Sequence, residues 1–145
     1  MAITTNAICN SFKKELLEGA HKFQAAPNGS TYKLAMFTNL ATLGKSTVGY
    51  ATTNEVTSPS GYTAGGKALV NVGTSLATNT AITDFADLSF VGVTLTARGA
   101  LIYNSSKSNK AVCVLDFGSD KTSSNGTFSI IFPGAAASTA IIRIA

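Results

Sequence analysis

The sequence predicts a mainly β domain, an antiparallel β-sandwich of jelly-roll-like character with one N-terminal α-helix. Two patterns carry that reading. From Thr31 onward apolar residues recur with period two, as on a pleated strand half covered by a core. Between the strand-like stretches no helical period intervenes, which excludes a βαβ crossover and leaves antiparallel pairing. Composition agrees with both. Of 145 residues 45% are apolar, 12% are charged and 13 are glycine. The charged share in globular domains is usually roughly 25%; here Ser, Thr, Asn and Gly replace it, which suits short strands joined by turns. The length fits a single domain over 1–145 with one core.

In chain order, Thr5 or Asn6 offers a cap for a helix over about 6–19. Ile8, Phe12 and Leu16 recur at four-residue spacing, Lys13, Lys14, Glu15 and Glu18 take other faces, and Gly19 supplies the stop. A helix with one apolar stripe packs on its own core or on a neighbouring subunit, and both readings stay open here. A link follows with Phe23 and the one histidine, His21, which is expected at the surface or as a cap.

The stretch 31–38 reads as a strand with Tyr32, Leu34 and Met36 on one face and Lys33, Ala35 and Phe37 on the other, one face more covered. Residues 39–65 lack strand pattern; a loop of that length is either functional or pinned to a neighbour. Tyr50 lies within it. So does Ser60-Gly61-Tyr62-Thr63-Ala64-Gly65-Gly66, where glycine permits close approach and tyrosine gives contact area, although a plain strand lead-in explains it equally. Further strands are predicted at 67–72, 81–85, 88–91, 94–103, 111–117, 127–132 and 140–144, and Asn28-Gly29 and Asn125-Gly126 read as turns. The last apolar strand, with Ile142 and Ile144, is expected to be clamped in a sheet or added to a partner's sheet.

Motifs that suggest chemistry lack their context. Gly44-Lys45-Ser46-Thr47 has the end of a phosphate-binding loop, but Asn39 replaces its first glycine and Val48-Gly49-Tyr50-Ala51 is a poor helix start. Gly61 to Gly66-Lys67 has the spacing and then Ala68 in place of the metal-binding hydroxyl. Val112-Cys113-Val114-Leu115-Asp116 and Asp116-Phe117-Gly118 resemble nucleotide-site fragments without the catalytic loop or crossover helices those need. A single histidine and the absence of a Gly-x-Ser-x-Gly elbow give no basis for a hydrolytic triad.

Asp84 and Asp87 lack the spacing of a calcium loop and suit turns. Cys9 and Cys113 form no CxxC pair and read as buried thiols. The expectation is a protein that is not an enzyme, with no catalytic, cofactor-binding or metal residues and no cofactor.

The formal charge of +4 is scattered along the chain, so a nucleic-acid footprint is not expected. No basic-then-apolar leader opens the sequence and no run approaches the roughly 20 apolar residues of a membrane span. The expected setting is synthesis in a reducing bacterial cytoplasm, with no membrane partner.

Several segments together carry a resemblance: Ala2-Ile3-Thr4-Thr5-Asn6-Ala7, Tyr32-Lys33-Leu34-Ala35-Met36-Phe37-Thr38, Asn54-Glu55-Val56, Gly61-Tyr62-Thr63-Ala64-Gly65-Gly66, Ala97-Arg98-Gly99-Ala100-Leu101-Ile102-Tyr103-Asn104 and Val114-Leu115-Asp116-Phe117-Gly118. Over nearly its whole length the chain resembles a group of small tailed-bacteriophage virion structural proteins. The resemblance implies a place on the virion, most simply as a capsid decoration or cement protein that binds the major capsid protein of the head lattice. A tail or baseplate component, or outside the particle a carbohydrate-binding β-sandwich, are the alternatives.

Partners would then include copies of itself, as a homo-oligomer with a trimer among the expected states, held partly by the helix and the 39–65 loop. The residues expected at such contacts are Ile8, Phe12, Leu16, Tyr50, Tyr62, Ile142 and Ile144.

Overall fold

The computed structural model describes residues 3–57 and 61–145. Ala2 of the opening motif, Ser60, and residues 58 and 59 of the predicted loop lie outside the described residues. The described residues fold into two antiparallel sheets and one helix, a sandwich-like arrangement with an apolar cluster fed from both sheets. The elements are β1 (Ala7–Ile8), α1 (Asn10–Leu17), β2 (Tyr32–Phe37), β3 (Lys67–Ala68), β4 (Asn71–Ala77), β5 (Thr80–Phe85), β6 (Leu88–Asn104), β7 (Lys110–Ile130) and β8 (Ile142–Ile144). The larger sheet runs β1-β7-β6-β2-β3 and the smaller β4-β5-β8. This order does not by itself establish a jelly-roll connection.

The helix is shorter than its stripe suggests. Ile8 pairs with Cys113 in β1 instead of opening the helix, and Asn6 turns its side chain to accept the Asp116 N–H at 2.6 Å, so neither Thr5 nor Asn6 is the cap. Cys9 holds the N-cap position without a side-chain capping bond, its thiol donating instead to Gly44 O. At the other end Gly19, at φ 75°, donates to Leu16 O while Ala20 donates to Glu15 O, the paired bonds of a Schellman stop. Phe12 stacks edge-on with Phe23. Phe23 lies flat on Tyr32 of β2 at 4.5 Å, and Phe85 of β5 touches both rings, so one aromatic column joins the helix to the two sheets.

Strand β2 is buried on both faces except at Lys33, not on one: β6 and β3 flank it, and the segment after it folds back over it. The stretch predicted as 67–72 divides into β3 and β4, which belong to different sheets. Where the sequence suggested four strands over 88–132, the chain forms only two, β6 and β7, paired along most of their length. Their register shifts at bulges, with Gly92 and Gly118 at φ 66° and 80° and Asn125 at φ 48°. Asn125-Gly126 therefore marks a bulge inside β7 and not a hairpin turn.

Candidate interaction site

Residues 39–57 and 61–66 form no strand of their own but are fixed to the domain by a buried carboxylate. Glu55 accepts from Tyr62 OH and from Gly65 N–H, both at 2.7 Å on Oε1, and from Tyr50 OH at 2.6 Å on Oε2. Tyr103 of β6 donates to Gly65 O and stacks on Tyr50 at 4.5 Å, and Met36 N–H reaches Tyr62 OH. Burial, then the bonded carboxylate, pushes the Tyr50 and Tyr62 hydroxyls far above the usual phenol range. The segment is thereby pinned to its own chain, which differs from both uses expected of it.

A second buried network replaces the expected surface histidine. His21 lies inside, with Nε2 2.7 Å from Glu15 Oε2 and Nδ1 3.1 Å from Asn104 Nδ2. Asn104 Oδ1 accepts from Ser106 N–H and Oγ–H, which fixes its amide so that Nδ2 donates to Nδ1. The imidazole proton therefore sits on Nε2 and is donated to Glu15. Both ring nitrogens are spent on structure. Lys110 Nζ lies 3.6 Å from the other Glu15 oxygen.

The motif fragments also serve the fold. Gly44 and Thr47 close a turn on each other, Lys45 O accepts the Asn10 N–H, and Gly49 bridges to Lys110. Asp116 accepts from Gly118 N–H and faces Arg98 at 3.4 Å. Asp87 accepts Phe132 N–H, whereas Asp84, within β5, is buried with Oδ1 bonded to Phe85 N–H and the Ile141 backbone N–H nearby. Burial raises the Asp84 carboxyl above its ordinary range. Cys9 and Cys113 are buried free thiols pushed up to about 11 and about 12, in each case mainly by desolvation. Among the described residues no group of three or more His, Cys, Asp or Glu side chains could hold a metal, and no helix is long and apolar enough to cross a membrane.

The seven residues expected at contacts divide. Phe12 and Tyr62, each 2% exposed, are core residues of this chain: an apolar helical stripe looks the same whether it meets its own core or another subunit, and Tyr62 is drawn inward by its bonds to Glu55 and Met36. Tyr50 is half-buried in the Glu55 network, and Ile8 lines a shallow groove beside Cys113 and Ile141. Leu16, Ile142 and Ile144 are brought together. They line one groove of about 210 Å³ with His21, Phe23 and Thr83 between the end of α1 and the β4-β5-β8 sheet.

A larger open groove of about 520 Å³ runs over Leu115, Phe117, Phe128 and Ile130 of β7 beneath Pro133 and Ile141. Sequence pattern alone does not single out the exposed apolar side chains Leu17, Val72, Leu76, Val91 and Ile131, because apolar residues of a strand or helix look alike whether covered or open.

No known family model, curated protein or solved structure is similar to the chain.

Proposed function

We propose that this protein is a structural component of a bacteriophage particle, seated on the head lattice as a decoration or cement protein. The sequence resemblance names the setting. The observation that carries a structural role is the disposition of the reactive side chains: Glu55, Glu15 and His21 are turned inward and bonded to the fold, while large apolar side chains are left at the surface. Such a surface suits association with protein, because removing apolar area from water is the main gain when two surfaces meet.

Electron microscopy of particles that lack the protein tests the proposal. The expected result is heads that assemble but lose resistance to heat or chelator, with tails intact. Loss of tails with unchanged heads would overturn the head assignment and support the tail reading.

A further inference from the structure

We propose that His21 is a pH-sensitive latch between the link at 20–31 and the turn joining β6 to β7, closed by the neutral imidazole and opened by its protonation. The latch is a chain of hydrogen bonds with a fixed direction. Ser106 Oγ accepts the Thr31 N–H at 3.1 Å and donates its own proton to Asn104 Oδ1 at 2.7 Å, where the Ser106 N–H also arrives at 3.2 Å. Asn104 Oδ1 is thereby occupied, and Nδ2 faces His21 Nδ1 at 3.1 Å. An amide nitrogen only donates, so this bond exists only while Nδ1 keeps its lone pair. Nε2 already carries a proton toward Glu15 at 2.7 Å, which leaves Nδ1 as the site for a second one. Both ends of the link meet in this chain of bonds, His21 at its start and Thr31 at its end.

Protonation at Nδ1 sets donor against donor. Asn104 and the His21 ring have no exposed surface, so bulk water does not reach the gap between them. The amide can answer only by turning over, which brings Oδ1 to the ring and Nδ2 to Ser106. The Ser106 N–H then loses its acceptor, and Ser106 Oγ loses the acceptor for its own proton. Ser105 N–H still donates to Thr31 O, so the joint loosens without parting.

The charges that face the ring do not distinguish the two states. Glu15 of α1 accepts from Nε2 whichever state Nδ1 is in. Lys110 of β7, 3.6 Å from the other Glu15 oxygen, Lys14, held by Glu18 at 2.6 Å, and exposed Lys22 set a field that acts on the ring whether the latch is shut or open. Tyr32 of β2, stacked on the ring, and Cys9, which feels the Glu15 charge, stay neutral: burial holds the phenol far above its usual range and the thiol at about 11. In the adjoining groove Ala81 and Thr83 of β5 and Ile142 of β8 bring no charge. The contact with Asn104 is what differs. The closed latch excludes the second proton and the open one accepts it, so the open form gains as pH falls.

The latch is independent of the particle assignment, and NMR of the isolated full chain tests it. Ring nitrogen shifts of His21 report its charge, and hydrogen-exchange protection factors of the Ser106 and Thr31 N–H groups report the latch, from about pH 8 to about pH 5, where histidine ordinarily titrates. As the ring becomes charged, protection of these two amides is expected to fall about 10-fold, the equivalent of one hydrogen bond, while amides inside β2 and β6 keep theirs. Two variants separate the latch from a general acid effect. Asn104→Asp offers acceptor oxygens to both Ser106 and a protonated Nδ1, and His21→Gln removes the titrating ring; in each the pH-dependent fall is expected to vanish, with far-UV circular dichroism checking the fold. The wild-type profile stands without either variant. The proposal is overturned by a ring that charges with no change at Ser106 and Thr31, by a ring that stays neutral down to about pH 5, by a loss spread equally through β2 and β6, or by a fall that persists in either folded variant.

Discussion

Glu55 holds more of the molecule together than its position in an irregular segment suggests. One carboxylate satisfies two tyrosine hydroxyls and a backbone N–H, and it is 7% exposed, so each bond is worth more than it would be at the surface. Glu55→Gln replaces an acceptor oxygen by a donor facing a hydroxyl or an N–H. The expected loss is about 2–3 kcal/mol, read as a lower urea midpoint together with faster proteolysis within 39–57. Phe12→Asp, which puts a charge into the aromatic column, is expected to lose about 3 kcal/mol or more in the same assay.

Asp84 gives the opposite sign. Its carboxyl is raised in the folded chain, so the folded state binds the proton more tightly than the unfolded one. The ionised group therefore subtracts stability at neutral pH, and the penalty fades as pH falls through the raised value toward the unfolded one. Asp84→Asn keeps the bond to Phe85 N–H and removes the charge; it should raise Tm at pH 7 and leave Tm nearly unchanged in acid below the carboxylate range. An equal gain at both pH values would refute the assignment.

At the scale of elements, glycine explains where sequence and structure part. Gly92, Gly118 and the Asn125-Gly126 pair all look like turns, and between them they break 88–132 into short strands. In the fold they take left-handed or bulged backbone inside β6 and β7, bending two long strands without ending them. A turn and a bulge demand the same local dihedrals. Only the partner strand, distant in sequence, decides between them.

The antiparallel class and the strands at 32–37 and 80–85 were legible because short apolar and β-branched stretches bounded by turn residues read as strands, although both are largely buried on two faces. β1 was not, since two residues hold no period. The buried networks of Glu55 and His21 were equally hidden: Asn104 stands 83 positions from His21, and the Glu55 partners, 5 to 10 positions away, lie in an irregular segment that holds no period. Gly66 shows the strictest requirement. It sits at φ 76°, and a Cβ there would lie 1.8 Å from Leu34 O, so backbone must move. Gly66→Ala is expected to lose about 3 kcal/mol or more and to strip hydrogen-exchange protection first from β3 and the adjoining part of β2.

For the whole molecule, the same fold that buries Glu15, Glu55, Asp84 and the histidine leaves large apolar side chains in the open. Large apolar side chains exposed on a chain of low charge suit contact with other protein, and the proposed particle role rests on that feature. Cryo-electron microscopy of intact virions tests the assembled state most directly. The account expects this domain, five strands against three with a single helix, to repeat over the head lattice in contact with the major capsid protein. Virions whose heads carry no such density, with the domain confined to the tail or absent from the particle, would contradict it.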